Sequence, residues 1–130
     1  MPAIQCFEEL EVWKHSKLLN EKIFQLIERG NFKRNYSLID QIGRSGGSIM
    51  DNIAEGFERV TKAEFIQFLG YAKGSCGEFR SQLYRAQLLG YVEIEKFEEL
   101  YKMADDIGKM LFGLIRYLQR TSFNGIRKKH

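Results

Sequence analysis

The chain has 130 residues and a formal net charge of +3, with 44% hydrophobic and 28% charged residues. That is enough for one domain with its own core, and no apolar run approaches the roughly 18 to 20 residues that a membrane span needs. Two cysteines are too few for a disulfide framework or a zinc site, and the single proline, Pro2, leaves the rest of the chain free to be helical.

The opening stretch, Met1 to Cys6, lacks the basic and apolar regions of a signal peptide, so a cytoplasmic protein is expected. Residues 7–29 carry helix formers throughout, with acids in the first turn where they suit the helix dipole, and Gly30 provides a stop. The apolar positions Val12, Trp13, Leu19, Ile23, Phe24, Leu26 and Ile27 cover an arc wider than the roughly 100° stripe that a bundle core needs. Part of that face is expected to meet something outside the bundle.

After a polar connector, Ser37 with Asp40 three residues on has capping-box spacing and opens a second helix over residues 37–59. Ile39, Ile42, Gly46, Ile49, Ile53 and Phe57 share one arc of its wheel, with Gln41, Arg44, Ser48, Asn52, Glu55 and Arg59 roughly opposite. Gly43, Gly46 and Gly47 each cost about 1 kcal/mol relative to Ala inside a helix. With Gly70, Gly74, Gly77, Gly108 and Gly113, also placed in helices, the loss rivals a typical domain's net stability. It is tolerable where missing side chains let backbones approach closely, so Gly43, Gly46, Gly47, Asn52, Glu55 and Gly56 are read as a helix-packing seam. A phosphate-cradling loop would need a preceding strand and another glycine spacing.

Thr61-Lys62-Ala63-Glu64 is a second capping box and starts a third helix over 62–89. Phe65, Leu69, Ala72, Cys76, Phe79, Leu83 and Ala86 form a strict heptad, the inner stripe of a bundle. Nearly opposite lie Gly70, Gly74, Gly77 and Ser81, with Ser75 beside them. A small-residue stripe facing away from the core predicts another close neighbour there, a second protomer. Gly90 ends this helix, and a fourth runs over 93–118 on Phe97, Leu100, Ala104, Ile107, Leu111, Leu114 and Leu118. Short connections make neighbouring helices antiparallel, so the expected architecture is an all-α, up-down-up-down four-helix bundle over residues 1–120. Residues 121–130 form a basic tail: from Arg116 onward come Arg120, Arg127, Lys128 and Lys129 with no acid among them.

Groups for catalysis are few. His15 lies between Lys14 and Ser16, His130 ends the sequence, and neither is placed as a base. Cys76 falls on the heptad and reads as a small buried hydrophobe, Ser75 has no evident histidine partner, and the Glu-x-x-His pairs of di-metal bundles are absent. The expectation is no enzyme, no cofactor and no metal. Arg44, Arg59, Lys62, Lys73, Arg116, Arg120, Arg127, Lys128 and Lys129 are the candidate contacts to nucleic-acid phosphate, with Lys33, Arg34, Arg80 and Arg85 as further candidates. Singly, such charges are solvated or paired, as the spacings Asp40/Arg44 and Glu55/Arg59 allow. Tyr71, Tyr84, Tyr91, Tyr101 and Tyr117 offer rings for stacking, although helical spacing also suits packing.

Several segments together resemble a known family. They are Phe7-x-x-Leu10-x-Val12-Trp13; Leu38-x-x-Gln41-Ile42-x-Arg44; Ser48-Ile49-x-x-Asn52-Ile53-Ala54-Glu55-Gly56; Glu64-Phe65-x-x-Phe68-Leu69-x-x-Ala72-x-Gly74-Ser75-x-x-Glu78; and Met110-Leu111-x-x-Leu114-Ile115. The chain is similar to the four-helix-bundle proteins encoded within intervening sequences of bacterial large-subunit ribosomal RNA genes. These are often labelled ribosomal-protein-like and are related to the accessory variability protein of diversity-generating retroelements. Gly46-Gly47 departs from the pattern, where larger small residues such as alanine or valine are usual. The resemblance implies a homo-oligomer, a pentameric barrel, whose accessory relatives bind nucleic acid and a reverse transcriptase, and it implies no catalysis. The expected function is therefore non-enzymatic binding of RNA or DNA, structured RNA first. The alternative is a scaffold that docks a protein partner on its apolar and aromatic surface, with no role for a membrane in either case.

Overall fold

The computed structural model describes residues 4–121, as a short 3-10 turn at Phe7–Glu9 followed by four helices. These are α1 (Glu11–Arg29), α2 (Tyr36–Phe57), α3 (Lys62–Leu88) and α4 (Ile94–Arg120). Each packs on the next and α1 also packs on α4, so the four enclose one core in an all-α bundle.

Local chemistry explains most of the boundaries. The Thr61 hydroxyl accepts the Glu64 N–H at 3.1 Å, as the capping box predicts. α3 ends in a Schellman motif: Gly90 takes φ +79, its N–H reaches the Gln87 carbonyl, and the Tyr91 N–H reaches the Ala86 carbonyl, both at 2.9 Å. Gly30 closes α1, where a side chain would run into the Leu26 carbonyl. Two expectations need correction. The N-cap of α2 is Asn35, whose side-chain oxygen accepts the Leu38 N–H at 3.2 Å, and Ser37 is already inside the helix. The first predicted helix is broken at Leu10, because the Glu9 carboxylate accepts the Gln5 and Cys6 N–H groups and so closes the 3-10 turn on itself.

The whole α3 heptad from Phe65 to Ala86 is buried, as are Leu19, Ile23, Ile42, Ile49 and Ile53 from α1 and α2. α2 and α3 are joined by a polar ladder. Arg85 donates to Gln41 at 2.8 Å, Ser45 to Gln82 at 2.7 Å, and Ser75 to Ser48 at 2.9 Å, while Asn52 donates to the Ser48 carbonyl and hydroxyl at 2.8 Å. α1 and α2 are joined by the buried Asn20 amide, which donates to the Gly46 carbonyl at 2.9 Å.

The glycines fall into two groups. An added Cβ at Gly56 would lie 2.8 Å from Phe68 Cβ and 3.2 Å from the Phe65 carbonyl, and one at Gly46 would lie 2.6 Å from Ile23 Cδ1. These two mark close helix approaches inside the chain. Gly43, Gly47, Gly70 and Gly74 meet nothing within 4 Å, and Gly77 meets only the Arg80 guanidinium at 3.6 Å.

Two measurements check this packing. Gly56→Ala, which presses on backbone and on a rigid ring stem, is expected to lower the urea-unfolding free energy by about 1–3 kcal/mol. Gly47→Ala, with open space around it, is expected to raise it by about 0.5–1 kcal/mol. In thiol titration, exposed Cys6, which donates to the Glu9 carboxylate, reacts in the native protein. Cys76, whose thiol burial pushes up to about 12, reacts only after unfolding in urea.

Candidate nucleic-acid interface

The cations singled out in the sequence are dispersed over the bundle, and most have structural partners. Arg44 stands on the outer face of α2, paired to Asp40 at 2.8 Å. Arg59 is half-buried over the Phe68 ring at 4.8 Å, with Glu55 at 3.6 Å and Glu64 at 3.9 Å, so it fastens the end of α2 to the start of α3. Both distances are ion pairs too long for good hydrogen bonds, and Arg59 Nε is left without one. Lys62 donates to the Thr121 carbonyl at 2.8 Å and so ties the start of α3 to the end of α4. Arg120 ends α4 at the same pole. Arg127, Lys128 and Lys129 lie outside the described residues.

Lys73 and Arg116 have a different setting. Lys73 lines a shallow hollow of about 250 Å³ between α3 and α4 together with Arg80, Asp105, Gly108, Lys109 and Phe112. Arg116 continues this face, its guanidinium 5.7 Å from the centre of the exposed Phe112 ring. One acid serves two of these cations: Asp105 lies 3.8 Å from Arg80 and 3.1 Å from Lys109. Arg80 is further positioned by Tyr101, donating to its hydroxyl at 3.3 Å with the guanidinium 5.5 Å from the ring centre. Lys73 and Arg116 have no ion pair among the described residues. The hollow therefore carries surplus positive charge beside an exposed aromatic ring, the two components that a flexible phosphate backbone and an unstacked base require.

Sequence reasoning did not single out Lys109 or Phe112. Both lie one helix away from Lys73, and the available signal was their position, three residues apart, on the flank of the α4 heptad that turns toward Lys73 and Arg80. The tyrosines sort by environment. Tyr84 and Tyr101 pack with Phe97 at ring-centre distances of 4.9 and 5.6 Å, and Tyr91 packs on Phe32 at 5.2 Å. Tyr71, half-exposed, sits edge-on to Phe68 at 5.4 Å.

Of the segments that carry the resemblance, Gly56 and Ser75 lie in the α2–α3 contact, Asn52 holds the ladder serine Ser48 from within α2, and Glu55 faces outward toward Arg59. Gly74 precedes the ladder serine on the open side of α3. No helix of the described residues is long and apolar enough to cross a membrane.

Comparison with known proteins bears on the fold and the family. No curated protein matches the chain at a significant level. The crystal structure of a protein of unknown function from the S23 ribosomal protein family of Bacteroides thetaiotaomicron is similar, with a TM-score of 0.76 and 27% identity. The similarity covers 81% of this chain and 98% of that one. Residues 8–113 match the family model of the 23S rRNA-intervening sequence proteins, and with that span inside one bundle the chain belongs to the 23S rRNA-intervening sequence protein family.

Proposed function

We propose that the protein is a non-enzymatic, self-associating bundle of the cytoplasm that binds nucleic acid, structured RNA first, through the α3–α4 face. The observation that carries this reading is the convergence of Lys73, Arg80 and Lys109 on one hollow beside exposed Phe112, with a single carboxylate, Asp105, opposing them. Neutralising a phosphate releases condensed counterions, and unpaired Lys73 and Arg116 can do so without breaking an existing pair. The up-down-up-down topology belongs to the same proposal. It is supported by the descending order of the α2–α3 bridges, in which Gln41 meets Arg85, Ser45 meets Gln82 and Ser48 meets Ser75.

Self-association is assigned to the outer stripe of α3, where Gly70 and Gly74 leave backbone open. A second copy packed there would set one basic hollow beside the next. In a ring of five, the net +3 of each chain becomes about +15, enough for a salt-dependent contact.

Anisotropy of a labelled RNA hairpin between about 50 and 300 mM salt tests the binding. The logarithm of the affinity is expected to fall linearly with log salt, and Lys73→Gln and Arg116→Gln each to reduce the slope by about 0.7–0.9 while Arg44→Gln leaves it unchanged. No binding at the lowest salt would overturn the nucleic-acid reading and favour a protein-docking scaffold, for which exposed Leu88, Leu89 and Ile94 at the α3–α4 turn are the surface. Light scattering tests assembly separately. Gly74→Leu is expected to keep the helical signal and reduce the particle to the 15.2 kDa single chain. A wild-type protein already at that mass would refute self-association.

A further inference from the structure

Where α1 ends and α4 begins, a solvent-open cavity of about 390 Å³ is lined by Lys22, Leu26, Arg29, Tyr91, Val92 and Lys96. None of these residues takes part in the α3–α4 face. Glu99 accepts Lys96 Nζ on one carboxylate oxygen at 2.8 Å and Lys22 Nζ on the other at 2.9 Å. Hydrogen bonds from Lys96 first and Lys22 next hold the Glu99 carboxyl below the ordinary carboxylate range. One buttressing carboxylate thus keeps two ammonium groups, from different helices, side by side at the cavity wall. An ammonium has three donors, and each of these uses one on Glu99, so the others remain for a ligand.

Two further features converge on the same space. Arg29, the last residue of α1, lines it, and its side chain has no ion pair or hydrogen bond among the described residues. α4 starts at its edge, with Glu93 as an N-cap whose side chain makes no cap bond, so the first-turn N–H groups of a 27-residue helix have no side-chain partner there. The opposing charges are Glu93 on the rim and Glu99 behind the two lysines, which leaves the cavity net positive. The rest of the wall mixes the amides Gln25 and Asn31 with apolar Leu26, Tyr91 and Val92, of which Tyr91 is fixed in place: it packs on buried Phe32 at 5.2 Å and its hydroxyl is 3.5 Å from the Asn35 amide.

We propose that this cavity binds a phosphate monoester of about mononucleotide size, with the phosphate held by Lys22, Lys96 and Arg29 and the organic part along Leu26, Tyr91 and Val92. Clustered cations at a helix start suit a dianion better than a single carboxylate, and the volume falls in the ordinary range of small-ligand pockets, about 300–1,000 Å³. A free nucleoside monophosphate and the 5′-phosphorylated end of a strand present the same group. The site does not rest on the α3–α4 reading.

Isothermal titration of the full chain with adenosine 5′-monophosphate, and with adenosine as the phosphate-free control, tests it. A Kd of about 0.1 mM or tighter is expected for the monophosphate, with adenosine at least about tenfold weaker. Arg29→Gln and Lys96→Gln are each expected to weaken binding about tenfold, and Glu93→Gln to tighten it about two- to threefold. Arg29 and Glu93 are exposed at element ends, so their variants keep the fold, and Lys73→Gln leaves this affinity untouched while it weakens the hairpin. A 5′-phosphorylated single-stranded RNA that binds about tenfold tighter than its 5′-hydroxyl twin identifies strand ends as the ligand. Equal binding of the two strands with the monophosphate still bound identifies the free nucleotide. If neither phosphorylated probe gains over its phosphate-free counterpart, or if Arg29→Gln leaves the affinity unchanged, the site is refuted.

Discussion

The contact between α2 and α3 sets the rest of the molecule. A serine hydroxyl reaches little beyond its own Cβ, so a direct hydrogen bond of 2.9 Å between Ser48 and Ser75 requires the two backbones to lie unusually near each other. The same nearness appears at Gly56, beneath Phe65 and Phe68. Larger side chains at these positions would hold the helices apart and leave Ser45 and Gln82, both buried, without each other. A half-satisfied pair in that setting costs more than an apolar one. Small residues therefore suit these positions despite their weak helix propensity, because the ladder and the close approach depend on one another.

With that contact in place, each side of α3 has a distinct task. Its heptad fills the core, Ser75, Gln82 and Arg85 meet α2, and Lys73, Arg80 and Tyr84 turn toward α4. What remains points away from the chain: Gly70, Gly74, Ser81 and strongly exposed Leu88. A helix of 27 residues committed on three sides and bare on the fourth is the part of the bundle where charge, aromatic surface and open backbone adjoin. The proposed binding and the proposed assembly both draw on it for that reason.

The heptads of α3 and α4, the Thr61 cap and the Gly90 stop were legible in the sequence because each depends on residues within one or two turns of one another. The Ser37 cap was misread for a local reason: Asn35 stands two residues earlier and its longer side chain reaches Leu38, which starts the helix sooner. The basic hollow was legible only in half. Lys73 and Arg80 stand out as cations in the sequence, but a heptad says which face of α4 turns inward and not which of its flanking residues comes opposite them, so Lys109 and Phe112 join them only with the fold. The glycines were legible as unusual but not as two classes. Gly46 and Gly47 are adjacent in sequence, yet one lies against Ile23 and the other against open space, a difference of about 100° around the helix axis.

The bond from Lys62 to the Thr121 carbonyl has a practical bearing. It anchors the end of α4 beside the α2–α3 turn, so anything covalently attached after Thr121 starts from the pole that holds Arg59 and Lys62. α4 has 27 residues, which at a rise of about 1.5 Å each puts roughly 40 Å between that point and the cavity at the other pole. A fluorophore carried on residue 121 itself would report on one pole and leave the other unencumbered, whereas a handle inserted at the α3–α4 turn would sit against Tyr91 and Val92 and obscure what it was meant to observe.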